Sequence, residues 1–133
     1  MLDRMTITSL YAKLVVTDAA AAIDFYTAAL GAVEVSRFTG DKGEVHHAEL
    51  TVGGTTIAVK DAGHGDPAPA TDRHPPVIMA LGVDDADAVA DRMLAAGATV
   101  IYPIHDAPYG ERGGRLADPF GHHWMISQPL SSA

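Results

Sequence analysis

Residues 14–31, LVVTDAAAAIDFYTAALG, read as the end of a strand, a capped helix and a closing glycine. The same order returns in residues 81–97, LGVDDADAVADRMLAAG. Leu14 answers Leu81, Val16 answers Val83 and Asp18 answers Asp85, each at a spacing of 67. Gly31 answers Gly97 at a spacing of 66, one residue shorter inside the second helix. Further on, Gly54 before TTIAVK lies 67 before Gly121, which precedes HHWMIS. Two copies at so long a period make a duplicated supersecondary module, not a solenoid.

Outward from the repeat, residues 6–16 are rich in β-branched and aromatic side chains and are expected as a strand. Asp18 suits an N-cap, because its carboxylate accepts from the first free helical N–H groups. Ala22, Ile23, Tyr26, Ala29 and Leu30 recur at helical spacing and make one apolar face, and Gly31 suits a left-handed end. Residues 32–38, 45–52 and 55–60 are expected as strands, the last two joined by a Gly53-Gly54 hairpin. The unit is βαβββ. Residues 62–76 hold four prolines and two glycines and form the linker. The second unit is expected as a strand at 77–83, a helix capped by Asp84 or Asp85, and a strand at 99–104. A long loop at 106–114 then precedes strands at 115–117 and 122–127. Ala86, Val89, Ala90, Met93 and Leu94 make the second helix's buried face. The expected fold class is α+β, a single domain of tandem βαβββ modules. Module one covers about 6–61 and module two about 77–128, with curved mixed sheets around a concave pocket and helices outside.

A chain of 133 residues, 47% hydrophobic, is large enough for one domain with a real core. Without cysteine it has neither disulfides nor thiolate ligands. A net charge of −8 with scattered basic residues argues against nucleic acid, whose phosphates need clustered Lys and Arg. No apolar run approaches the ~20 residues that span a bilayer, and MLDRMTITSLY lacks a secretory apolar core. A cytoplasmic protein is expected.

IDFYTAALGA in the first copy, AVADRMLAAGATV in the second and GGRLADPFGHHWMI after it resemble the vicinal oxygen chelate superfamily. That group holds glyoxalase I, extradiol dioxygenases and the fosfomycin- and bleomycin-resistance proteins. The resemblance spans about residues 6–128, DPFGHHW is its most specific motif, and the chain looks most like the small PhnB-like and antibiotic-resistance-like members. It implies ligands held in the sheet concavity, often in a homodimer, and usually a divalent metal on four strand positions. Carried over, those positions are Tyr11, Glu49, Ile78 and Met125. Only Glu49 is a hard ligand of the usual kind; Ile78 cannot ligate, and a thioether suits neither Mn, Mg nor Zn. No metal and no cofactor are therefore expected. His47, Glu49 and His123 could share a pocket face, and a noncanonical metal site on them stays open.

Alternation from the four positions gives the pocket lining. It includes Tyr11, Lys13, His47, Glu49, Ile78 and Met125, walled by Phe38, Tyr102 and Tyr109. Arg115, with Arg112, flanks a glycine-rich stretch able to close over a ligand or bind an anion, or to stay a solvated loop. Glu49 could pair with Lys13, receive a ligand's hydrogen bond or act as a base. The expected function is metal-independent binding that sequesters an aromatic or hydrophobic ligand such as an antibiotic. The alternative is a metal-dependent lyase, isomerase or dioxygenase with a noncanonical site using Glu49.

Overall fold

The structure is a computed structural model that describes residues 5–130. Module one runs β1 (Lys13–Val16), α1 (Ala19–Leu30), β2 (Val33–Thr39), β3 (Val45–Val52) and β4 (Thr55–Asp61). Module two runs β5 (Ile78–Gly82), α2 (Ala86–Ala95), β6 (Thr99–Ala107), β7 (Glu111–Ala117) and β8 (His123–Pro129). Each makes a four-stranded mixed sheet, ordered β1-β4-β3-β2 and β5-β8-β7-β6. The duplication read from the sequence is thus a duplication of topology.

The repeat reaches into the helix ends. Asp18 accepts from the Ala21 N–H at 3.1 Å, and Asp85 accepts from the Ala88 N–H at 3.0 Å. The preceding N–H of each helix is taken by the last strand of the module. Ala19 donates to Asp61 Oδ1 at 2.7 Å, and Ala86 donates to Gln128 Oε1 at 2.8 Å. Asp61 and Gln128 are again 67 apart. Two orphan donors per helix are satisfied by one device used twice.

Two expectations are corrected. The first strand is not 6–16: only Lys13–Val16 pairs, in parallel, with β4. Since β4 begins at Thr55, just after the hairpin, the residues before Tyr11 have no neighbouring strand to bond, and Ile7 and Leu10 stand 79% and 95% exposed. The long loop at 106–114 is instead a short turn between two strands. Gly113 and Gly114 belong to β7, where a side chain would strike the Ile126 carbonyl and the Tyr102 carbonyl. Those glycines serve close strand packing, not lid motion.

The helices sit on one face of their own sheets and meet each other, with Arg92 donating to the Ala28 carbonyl at 3.3 Å. One core therefore serves both modules. At its centre is Asp118, first residue of DPFGHHW, 4% exposed. Its carboxylate accepts from the Phe120 N–H at 2.9 Å, the His122 N–H at 3.0 Å, the Trp124 indole at 2.9 Å and the Tyr26 hydroxyl at 2.6 Å. Tyr26 comes from α1 of the other module. Burial first, then the charge of Asp118, holds its phenol well above the ordinary range, so it stays a donor. Phe25 packs edge-on to Phe120, and Tyr26 packs against Trp124 with ring centres 5.4 Å apart. The linker is pinned at both ends. The Lys60 ammonium holds Asp66 at 2.6 Å, Pro69 lies against Gly121, and the His74 ring meets His123 at 4.8 Å.

Asp118→Ala strands four donors and should cost about 3–5 kcal/mol, against about 1–2 kcal/mol for Tyr26→Phe; urea unfolding followed by Trp124 fluorescence checks both. His123 is held below its ordinary 6.5, first by burial, then by His74 and Arg115, with His122 adding and Asp118 opposing. The unfolded chain thus binds the proton more readily. The neutral ring's contribution is full above about pH 6.5 and is lost as pH falls through the lower folded value. Melting temperature should drop on acidification from pH 7 to 5, and His123→Gln should flatten that slope.

Candidate functional site

Each sheet has a helix-covered face and an open one, and the open faces carry the residues singled out above. On sheet one, a row across the strands reads Lys13, Ala58, Glu49, Ser36. On sheet two, the matching row reads Ala80, Met125, Arg115, Tyr102. Lys13 and Ala80 are 67 apart, as are Ala58 and Met125. Glu49 and Arg115 then occupy equivalent places, each beside the β4 or β8 position. Phe38 pairs with His47 one step along sheet one, and Ile78 pairs with His123 on sheet two.

This symmetry corrects one assignment. The module-one counterpart of Met125 is Ala58, not Glu49, which lies one strand over. Alternation alone could not separate them, because paired residues on neighbouring antiparallel strands share a face. Under the repeat, the positions that the resemblance implies become Tyr11, Ala58, Ile78 and Met125, a set with no hard ligand beyond a phenol. The donor set does not fit a divalent ion. Among the described residues no group of three His, Asp or Glu could hold one. The imagined cluster of His47, Glu49 and His123 does not form either. The first two sit on sheet one, while His123 is buried on sheet two under His74.

The two rows do not meet. Within the described chain no strand of one sheet pairs with a strand of the other; the modules touch through α1 and α2 and through the turn before β8, whose Asp118 and His122 reach Tyr26 and the Val15 carbonyl. Tyr102, Tyr109, Arg115 and Met125 do come together, in a cleft of about 180 Å³ on sheet two, floored by Gly113 and Gly114. Ile78 stands on the same face at its edge strand, 40% exposed. The Arg115 guanidinium lies 5.3 Å over the Tyr102 ring, and its buried Nε has no partner among the described residues. Lys13, Phe38, His47 and Glu49 share the open face of sheet one, with Phe38 65% exposed. Tyr11 precedes β1 and is exposed to a similar degree as Ile78. Glu49 meets the His47 ring at 3.3 Å and does not pair with Lys13, which stands two strands away.

Arg112 is not a ligand clamp. Its guanidinium is divided between Asp87 on α2 at 2.8 Å and Asp106 at 2.9 Å, on the helix side. Sequence reasoning missed Asp118, whose four donors come from residues spread between 26 and 124. The signal was there in DPFGHHW, but a motif of this kind reads equally as chemistry or as packing.

The profile of the Glyoxalase/Bleomycin resistance protein/Dioxygenase superfamily matches residues 7–126. An uncharacterized protein of Mycobacterium tuberculosis is 44% identical over 122 residues, covering 88% of this chain and 72% of that one. The crystal structure of TioX from Micromonospora sp. ML1 is 28% identical and covers 92% of this chain and 99% of its own, with a TM-score of 0.73. The fosfomycin resistance protein FosX of Listeria monocytogenes, solved with Mn(II) and dihydroxypropylphosphonic acid, shares the fold. Its TM-score is 0.69 at 16% identity, over 96% of this chain and 93% of FosX. No helix among the described residues is long and apolar enough to cross a membrane. The chain belongs to the glyoxalase/bleomycin resistance protein/dioxygenase superfamily.

Proposed function

We propose that the chain is a metal-independent small-molecule-binding protein that sequesters an aromatic or hydrophobic ligand, such as an antibiotic, on its open sheet faces. The observation that carries the reading is the cleft of Tyr102, Tyr109, Arg115 and Met125. It offers aromatic and thioether surface with one buried unpartnered donor among the described residues; its lone carboxylate, Glu111, accepts from Ser127, and with the lone imidazole of His105 it falls short of the three ligands a metal site needs. Arg115 Nε is itself buried, so the guanidinium, backed by Tyr102, would meet an acceptor on the ligand through its terminal N–H groups.

At about 180 Å³ the cleft is below the 300–1,000 Å³ of ordinary small-molecule sites. Phe38, Val33 and Val35 on sheet one and Tyr102 and Val100 on sheet two leave large apolar surface uncovered in one chain. A homodimer that sets the Glu49 row of one copy over the Arg115 row of the other supplies the second wall. Lys13, Phe38, His47 and Glu49 then line the same site as Ile78, Tyr102, Tyr109, Arg115 and Met125. Tyr11 guards its rim.

The second reading, a lyase, isomerase or dioxygenase with a noncanonical site, is favoured only by the contact of His47 with Glu49, which could poise a general base.

Protein purified without an affinity tag should contain no stoichiometric Fe, Ni, Mn or Zn, and EDTA should leave its melting temperature unchanged. Flat aromatic antibiotics at about a hundred times their Kd should add about 2.7 kcal/mol of stability. Arg115→Gln and Tyr102→Ala should weaken binding by about tenfold each. Stoichiometric metal, or turnover abolished in Glu49→Gln while binding persists, would favour the enzyme.

A further inference from the structure

A second cavity lies at the seam between the modules, along edge strand β1, and Lys13 is the one residue of the open-face row that it shares. It measures about 750 Å³ and is walled by β1 on one side and by the linker on the other, with Met79 and His122 closing its end. All four linker prolines, Pro67, Pro69, Pro75 and Pro76, line it. Proline has no N–H and a fixed φ, so this wall is apolar and stiff. It is also anchored. Lys60 holds Asp66 just before Pro67, Gly121 leaves room for Pro69, and the His74 ring rests on His123.

The charge in this cavity is unusual for the chain. The protein carries −8 overall, yet no carboxylate lines the cavity, while Lys13, Arg73, His74 and His122 do. Among the described residues neither Lys13 nor Arg73 has a carboxylate within 4.0 Å. Asp66, whose field reaches Lys13, is already held by Lys60. His122 is fixed by donating to the Val15 carbonyl at 2.9 Å across the seam. Behind His74, the buried Nδ1 of His123 has no partner among the described residues.

We propose that the seam is a separate binding site for a compact hydrophobic carboxylate: hydrocarbon against the proline wall, Leu14 and Val15, carboxylate between Arg73 and Lys13. Lys13 stands on β1 and Arg73 on the linker, so both cations face the same cavity from opposite walls. The volume lies within the range of small-molecule sites. The seam ligand needs an anion, whereas the ligand of the open faces needs none.

The test uses the full-length protein with 1-naphthoate and, as its neutral counterpart, 1-naphthalenemethanol. Amide chemical-shift mapping should place naphthoate at residues 12–15 and at Arg73, His74 and Val77, and the alcohol should bind at least about tenfold more weakly. Arg73→Gln should weaken naphthoate by about tenfold and raise the alcohol's relative affinity, and the double variant Arg73→Gln/His74→Gln should go further. These positions are exposed, so the variants keep the fold, as the wild-type melting temperature would verify. Shifts mapping to the sheet faces instead, equal binding of acid and alcohol, or unchanged affinity in Arg73→Gln would overturn the proposal. Failure here leaves binding at the Tyr102–Arg115 cleft untouched, because Arg115→Gln reads that site separately.

Discussion

Everything in the fold turns on the buried carboxylate of Asp118. A charge at 4% exposure is costly unless its lone pairs are used, and here four donors use them. Two are backbone N–H groups of its own turn, which shape the step from β7 to β8. The third is the Trp124 indole, which seats the largest side chain of the core. The fourth is the Tyr26 hydroxyl, which crosses from module one. One group therefore closes a turn, orders a core and joins two halves of a duplicated chain. The joint has no repeat counterpart: 67 residues before Asp118 stands Thr51, near the end of β3, with no carboxylate. The modules repeat one topology, and this asymmetric group locks them together.

How the modules lock decides what the molecule offers to a ligand. Because Tyr26 and Trp124 meet between them, the helix-covered faces turn toward one shared core. The opposite faces are left uncovered, with Phe38, Tyr102 and Met125 on them. Apolar sheet surface of this extent commonly marks a site of interaction. The equivalent placing of Glu49 and Arg115 gives the two faces opposite charge at matching positions, which is what a two-fold pairing of copies would use.

Much of this was legible in the residues. Asp18 and Asp85 announced both helices, and the period of 67 announced their common topology. Strand alternation put Lys13, His47, Glu49, Ile78 and Met125 into one pocket lining, which the structure divides between the open faces of two sheets. What stayed hidden depends on long-range geometry. A chain does not state which faces of two sheets will meet, since helix-in and helix-out packings bury the same apolar residues. Gly113 and Gly114 looked like a flexible loop because the carbonyls they avoid belong to β6 and β8. Glu49 looked like the inherited ligand position because its true counterpart, Ala58, is its cross-strand partner. The proline linker looked like a spacer and is a wall, because its anchors, Gly121 and His123, lie some fifty residues on.

If DPFGHHW serves as the joint of the fold, its most exposed claim is that the Trp124 indole proton is spent on Asp118. Trp124 is the sole tryptophan, so a single indole N–H resonance reports on it. Hydrogen exchange of that proton, followed by NMR, should match the slowest backbone amides and disappear only with global unfolding. Exchange as fast as that of a solvated indole would contradict the joint and return the motif to the search for chemistry.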